Sequence, residues 1–266
     1  MVNQKSRLAR RISVATLVMS AGLFSVPSRA DTSSVSGVLE DTGLYFTAPL
    51  RWNERDWLQL GASVAAIGLA HQLDDNVRSH FVPANGAAST TSDPHSFRDF
   101  EPTIAMLGGT WLAAFAFHDR SGYEEGREML EAGAFSAVST EIFKLAAGRL
   151  RPSQTTDHDR WREGGDSFPS RHVSIAFAVG TVLAESGSDE FRLVRRVLGY
   201  GLSAATAYSR MRDNQHWLSD TVAGAALGIA TAQFVMHRGR ADVTNANFSI
   251  APVPGGVLVS YAFTFN

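Results

Sequence analysis

Residues 217–236 read WLSDTVAGAALGIATAQFVM, from Trp217 to Met236, and hold no charge after Asp220. Ala, Leu, Val and Gly fill the run and no proline interrupts it, so it reads as a helix that is apolar on all sides. The charge-free part, Thr221–Met236, is 16 residues long, short of the ~20 that a membrane span wants. That length fits a buried helix of a bundle. Gly224 and Gly228 make a small-x-x-x-small face that lets two helices approach closely, a device of both bilayer and soluble bundles. Five further stretches carry the same signature, at about Trp57–Gln72, Pro102–His118, Ala132–Arg149, His172–Glu185 and Val194–Ser209. The period changes only at the C-terminal end. There Val257, Val259, Tyr261, Phe263 and Phe265 alternate with smaller or more polar residues after Pro254-Gly255-Gly256, which reads as a strand following a turn. Phe248–Val253 is its expected partner, with Pro252 on an edge.

The fold expected is therefore all-α, a bundle of about six helices with a short C-terminal β-hairpin. The chain has 266 residues, enough for one sizeable domain. It carries 24 Lys+Arg against 26 Asp+Glu, with no basic cluster beyond the first dozen residues, so a nucleic-acid partner is excluded. No cysteine is present, which removes disulfides, thiol nucleophiles and Cys-ligated zinc. Oligomeric state is not legible.

Residues 1–30 place Lys5, Arg7, Arg10 and Arg11 before an apolar stretch, Ile12 to Val26, and end on Pro27-Ser28-Arg29-Ala30. This is the order of a secretory signal peptide, with cleavage expected after Ala30 and the protein exported to the cell envelope, periplasmic and either soluble or membrane-associated. Four segments follow: a signal at 1–30, a lead at 31–56, a helical domain at 57–237 and a hairpin tail at 238–266.

Three polar clusters fall at helix ends. In Lys144-Leu145-Ala146-Ala147-Gly148-Arg149-Leu150-Arg151-Pro152 the two outer cations are nearly two turns apart, so on a helix stopped by Pro152 they would share a face. They serve either an anion or the helix dipole. Ser167-Phe168-Pro169-Ser170-Arg171-His172 opens the next helix, where free N–H groups favour an anion, and Ser170 serves equally as a cap. In Ser209-Arg210-Met211-Arg212-Asp213-Asn214-Gln215-His216-Trp217-Leu218-Ser219-Asp220, His216 and Asp220 are four apart and share a helix face. Asp220 accepting the Nδ1–H of His216 would leave Nε2 bare, the form a histidine needs to attack phosphorus. The loop between the first two clusters, Ser153–Ser167, holds Asp157-His158-Asp159. Neighbours on a loop seldom converge on one ion, so this run reads as solvated and no metal is assigned.

Lys-x6-Arg-Pro, Pro-Ser-x-His and Ser-Arg-x5-His-x3-Asp, in this order and between helices, resemble the type 2 phosphatidic acid phosphatase and vanadium haloperoxidase superfamily over roughly Trp57–Met236. The resemblance implies that Lys144, Arg151 and Arg210 bind phosphate oxygens with Ser170 and the backbone N–H of Arg171. It implies His216 as nucleophile, His172 as general acid and Asp220 as the group that steers His216, with no cofactor. Arg171 departs from the glycine usual there, so it either adds a phosphate contact or narrows the entrance.

Three activities share these residues. The first is hydrolysis of lipid phosphates through a phosphohistidine, with membrane association. The second is a soluble periplasmic acid phosphatase acting on small phosphomonoesters. The third is a vanadate-dependent haloperoxidase, for which vanadate would be the cofactor. N-terminal sequencing of protein recovered from the cell envelope should begin at Asp31, and recovery of Met1 or Val2 would contradict the cleavage.

Overall fold

A computed structural model of the protein describes residues 42–82, 100–187, 189, 191–237, 248–253 and 256–261. The signal segment lies outside them. A short helical stretch at 42–47 runs into a 3-10 turn, Ala48–Arg51. Then come α1 (Glu54–Gln72), α2 (Asp74–Phe81), α3 (Glu101–Phe117), α4 (Arg120–Ala147), α5 (Arg171–Glu185), α6 (Arg192–Arg212) and α7 (Leu218–His237). All six expected helices are present and the helical class stands. At the end of the chain the backbone of β1 (Phe248–Val253) runs antiparallel to that of β2 (Gly256–Tyr261), with Phe248 opposite Tyr261.

Local chemistry sets the boundaries. Asn53 and Asp56 form a capping box at the start of α1, Asn53 Oδ1 accepting from the N–H of Arg55 at 2.8 Å while its own N–H reaches Asp56 at 2.9 Å. Asp119 caps α4 by accepting from the Ser121 N–H at 2.9 Å. That cap starts α4 at Arg120 rather than at Ala132. The polar, glycine-containing stretch before Ala132 resembles a linker, but its glycines are packing positions. A Cβ on Gly126 would lie 2.4 Å from Trp111 Nε1, and one on Gly122 would lie 2.8 Å from Ala114 Cβ. α2, which periodicity alone does not reveal, is an eight-residue helix with Asp74 and Asp75 in its first turn and Arg78 and His80 in its last, both favourable to its dipole. The lead segment also packs inward: Tyr45 stacks on Phe135 at 4.8 Å and its hydroxyl meets Ser139 Oγ at 2.8 Å.

The centre of the bundle is α5. Ten of its fifteen residues are buried, and it packs against α4, α6 and α7. Contact with α6 and α7 is backbone to backbone. A Cβ on Gly180 would lie 2.5 Å from Gly199 O, and one on Gly228 would lie 2.3 Å from Ser174 O. The Gly224/Gly228 face is thus consumed inside the chain, where it sets the N-terminal ends of α5 and α7 side by side.

Burial differs from expectation on the outer helices. The charge-free length of Pro102–Phe117 reads as a core helix, yet only Thr103, Met106 and Ala114 are buried, while Leu112, Phe115 and Phe117 are 70%, 72% and 81% exposed. An all-apolar helix cannot tell from its own sequence whether protein or lipid will be its neighbour. α1 behaves alike, with Ala70 its one buried residue.

Gly228→Ala should cost about 1–3 kcal/mol of stability through overpacking. Gly201→Ala, at a position in α6 where a Cβ meets nothing within 4 Å, should be neutral or stabilising by up to about 1 kcal/mol. Denaturant unfolding of the two variants checks this, and equal effects would contradict it.

Candidate active site

Lys144 lies in the last turn of α4, but Arg151 does not share its helix. α4 ends at Ala147, and Gly148 caps it at φ +56°, a left-handed conformation open to glycine. Arg149–Arg151 then leaves in an irregular path, so the glycine rather than Pro152 ends the helix and Arg151 reaches the site from a loop. That loop folds back on its own origin. Leu150 N–H donates to Arg160 O, Gly165 N–H to Gly148 O and Ser167 N–H to Arg149 O. A Cβ on Gly165 would lie 2.0 Å from Arg149 O. The segment read as a solvated loop is therefore packed at its base and brings Asp166 to the cations.

Arg151 grips Asp166 with two bonds, Nε to Oδ1 at 2.9 Å and Nη2 to Oδ2 at 3.2 Å, while its Nη1 donates to Gln215 O at 3.1 Å. Lys144 Nζ donates to the Asp166 carbonyl. Burial, with Arg151 beside it, brings the Lys144 ammonium down to about 7. Burial would raise the Asp166 carboxyl, but the hydrogen bonds and charge of Arg151 outweigh it and hold it well below the usual carboxylate range.

Ser170 precedes α5, its N–H donating to Asp220 O at 3.0 Å, and its buried Oγ has no hydrogen-bond partner. The Ser170 side chain is thus not spent as a helix cap. The Arg171 side chain pairs with Glu141 at 3.0 Å. Its backbone is ordinary right-handed helix, which explains why a glycine is unnecessary there. His172 is buried against Phe100, ring centroids 4.2 Å apart, and its Nε2 has no partner. Burial, then the charges of Arg210 and His216, push the His172 imidazole well below its ordinary range.

His216 is hung from the end of α6, its N–H donating to Arg210 O at 3.3 Å. Arg151 Nη1 donates to His216 Nε2 at 3.3 Å, which makes Nε2 the bare nitrogen. Burial and the charges of Arg151, Lys144 and Arg210 push His216 down as well. The expected bond to Asp220 is not closed. His216 Nδ1 stands 3.5 Å from Asp220 Oδ2 and is unpartnered. Asp220 is engaged elsewhere, accepting from Arg149 Nη1 at 2.7 Å, Ser167 Oγ at 2.5 Å and Trp217 N–H at 2.9 Å.

Arg149 is the residue that sequence reasoning missed. It is fully buried between Asp220 and Asp74, each at 2.7 Å. Its guanidinium lies over the Trp161 ring at 4.4 Å. Asp74 in turn accepts from Ser219 N–H and Oγ at 2.8 and 2.7 Å. Arg151 thus touches both Asp166 and His216, Lys144 reaches the Asp166 carbonyl, and the charges of Arg151 and Arg210 bear on both His172 and His216, a set of buried cations and imidazoles of the kind that can hold an oxyanion.

Residues 126–242 match the family model described as the PAP2 superfamily. A lipid A 1-phosphatase of Porphyromonas gingivalis is 27% identical over 92% of this chain and 55% of its own length. A PA-phosphatase related-family protein of Dictyostelium discoideum is 30% identical over 40% of this chain and 45% of its own. The chain spans about half the length of the curated relatives it matches. Two solved structures overlay loosely. Aquifex aeolicus LpxE has a TM-score of 0.33 at 18% identity over 53% of this chain and 87% of its own. The first transmembrane PAP2 type phosphatidylglycerolphosphate phosphatase from Bacillus subtilis gives 0.40 at 15% over 87% and 95%. The matched stretch contains Lys144, Arg151, Ser170, His172, Arg210, His216 and Asp220, and residues 126–242 of this chain are a PAP2 superfamily domain.

Proposed function

We propose that the protein hydrolyses phosphomonoesters of lipids through a phosphohistidine, without a metal at the reacting phosphorus. The observation that carries this is the Arg151 N–H on His216 Nε2. It marks Nε2 as the unprotonated nitrogen, and a phosphoryl group that drew the Arg151 N–H onto its own oxygen would free that lone pair for attack while being held by the same cations. His216 Nε2 attacks phosphorus, the P–O ester bond breaks, and the departing alkoxide takes a proton from His172. Water then cleaves the P–N bond, returning phosphate and free imidazole. Both histidines are neutral in the ligand-free site. The charge of an incoming phosphate offsets the cations that depress them, so His172 gains its proton with the substrate.

A lipid substrate is supported by the lipid A 1-phosphatase relative and by the outer faces of α1, α3 and α6. Leu58, Leu69, Leu112, Phe115, Phe117, Leu193 and Val197 on these faces are 63–81% exposed among the described residues, apolar side chains that a lipid surface would cover. α7 is also long and apolar enough to cross a membrane, although half of it is packed inside the bundle. A hollow lined by Phe143, Ala146, Ala147, Trp161, Phe168 and one cation, Arg162, adjoins the loop that carries the site and offers an apolar wall with a single positive charge. Export through residues 1–30 would place the enzyme at the envelope. All the residues assigned to this chemistry precede residue 238.

His216→Ala should abolish turnover on every substrate. His172→Ala should cost about 10²–10⁴-fold on alkyl phosphates and noticeably less on aryl phosphates, whose leaving groups need less protonation. Values of kcat/KM on a panel of lipid, soluble alkyl and aryl phosphates check both claims. Equal losses for His172→Ala on alkyl and aryl esters would contradict the acid role, and a preference for soluble over lipid phosphates would contradict the substrate class.

Anion affinity should depend on Lys144. With its ammonium at about 7, the site loses one positive charge as pH rises through that value, so anion binding is tighter below it and weaker above. Sulfate, a dianion across this range, should inhibit several-fold more weakly on the alkaline side of 7, and Lys144→Met should flatten the dependence. An unchanged slope in that variant would assign the titration to another group.

A further inference from the structure

Outside the phosphate pocket, the packed loop brings His158 and Asp159 against His71 at the end of α1. One ligand atom from each of the three lies within 4.8 Å of the others. His71 Nε2 is 2.9 Å from Asp159 Oδ1 and His158 Nε2 is 3.8 Å from Asp159 Oδ2. In a tetrahedral site with metal–ligand bonds of about 2.0–2.2 Å, ligand atoms stand roughly 3.3 Å apart, within the spread of these distances. The other nitrogen of each histidine already faces a carboxylate. His71 Nδ1 lies 3.0 Å from Asp74 Oδ2, and His158 Nδ1 lies 3.0 Å from Asp75 Oδ2. Two consecutive aspartates at the start of α2 therefore orient two imidazoles from different elements toward one shared carboxylate.

That outer pairing is an observation independent of the cluster itself. A histidine donating Nδ1–H to a carboxylate has its Nε2 lone pair directed outward and made more basic, the arrangement that supports metal-ligating histidines. Arg149 Nη2 also lies 3.2 Å from His71 Nδ1, so without an ion the ring can accept there and donate Nε2–H to Asp159, whereas with Nδ1–H on Asp74 the Nε2 lone pair and the Asp159 carboxylate both face the space an ion would fill. We infer that His71, His158 and Asp159 form a binding site for one divalent transition-metal ion of the zinc class. Two imidazoles and a carboxylate suit such an ion rather than magnesium or calcium. Asp159 is 66% exposed on its side chain, so water has access to the remaining position.

The ion would not touch the phosphoryl group. It would fasten the 153–167 loop to α1 and α2, and so hold in place the segment that carries Asp166 to Arg151. Through Asp74, the same carboxylate that accepts from Arg149, the site adjoins the buried ion pairs behind His216. The inference is separate from the phosphatase reading, because metal affinity is read without turnover.

Untagged full-length protein stripped with a chelator should bind one equivalent of Zn²⁺ by calorimetry. Co²⁺ in its place should give the visible absorption of a four-coordinate site. Asp159→Asn alters an exposed side chain and His158→Ala a half-buried one whose backbone carbonyl, the acceptor for Arg149, is kept, and each should lower affinity at least tenfold. Asp75→Asn, which keeps all three ligands, should lower it by about 10–100-fold. Zn²⁺ should also raise the unfolding temperature of the wild type and not that of His158→Ala. If the wild type binds Zn²⁺ no better than these variants, His71 and Asp159 are joined by a proton and the metal site is refuted.

Discussion

The interaction on which the site depends is the burial of one guanidinium, Arg149, between Asp74 and Asp220. Its side chain has no exposed surface and neither do those of its two carboxylate partners. The five N–H groups of an arginine have acceptors here: Ser219 Oγ and Asp220 on Nη1, Asp74 and His158 O on Nη2, and His158 O again on Nε. A buried ion pair of this kind is weak evidence for net stability, but removing one partner strands the other charge, at a cost of about 3–5 kcal/mol. The pair therefore constrains geometry. Through Asp74 it binds α2, through Asp220 it binds the start of α7, and its own backbone lies in the loop that carries Arg151. Lysine offers one point charge in place of a planar fork and could not serve all of these partners.

Around that pair, the bundle works by letting backbones touch. Gly180 against Gly199 and Gly228 against Ser174 bring α6 and α7 onto α5 with no side chain between them. The N-terminal ends of α5 and α7 are then close enough for Ser170 N–H to donate to Asp220 O. One bond thus ties the strip holding Ser170 and His172 to the strip holding His216 and Asp220. The cost of collecting Lys144, Arg151 and Arg210 in a buried place is visible in the lowered Lys144, His172 and His216. Asp166 partly relieves it. In the proposed reaction, the charge of a bound phosphate would offset what remains.

Much of this was legible in the sequence and some could not have been. The helices followed from apolar runs, and the motif residues Lys144, Arg151, Ser170, His172, Arg210 and His216 fell at helix ends, where the structure gathers them. The path between Lys144 and Arg151 did not follow, because a seven-residue spacing fits a helix as well as a turn, and the left-handed Gly148 decides between them. Arg149, Asp74 and Asp166 were unreadable for a related reason. Arg149 finds Asp74 and Asp220 at separations of 75 and 71 residues, Asp166 finds Arg151 at 15, and no local pattern marks which arginine of Lys144–Pro152 turns inward. The pairing of Asp220 with His216 was read from a four-residue spacing. The structure spends that carboxylate chiefly on Arg149, Ser167 and the Trp217 N–H. His216 Nδ1 is left 3.5 Å from Asp220 Oδ2, too far for a closed hydrogen bond.

The central claim is that a phosphoryl group resides on His216 during turnover, and trapping it is the most direct test. Enzyme mixed with a phosphomonoester and quenched in alkali, which spares phosphohistidine, can be digested and mapped by mass spectrometry. The account predicts a phosphate adduct on the peptide carrying His216, formed faster than steady-state turnover and absent from His216→Ala. An adduct on any other residue, or turnover in which no phosphoenzyme precedes product, would contradict it.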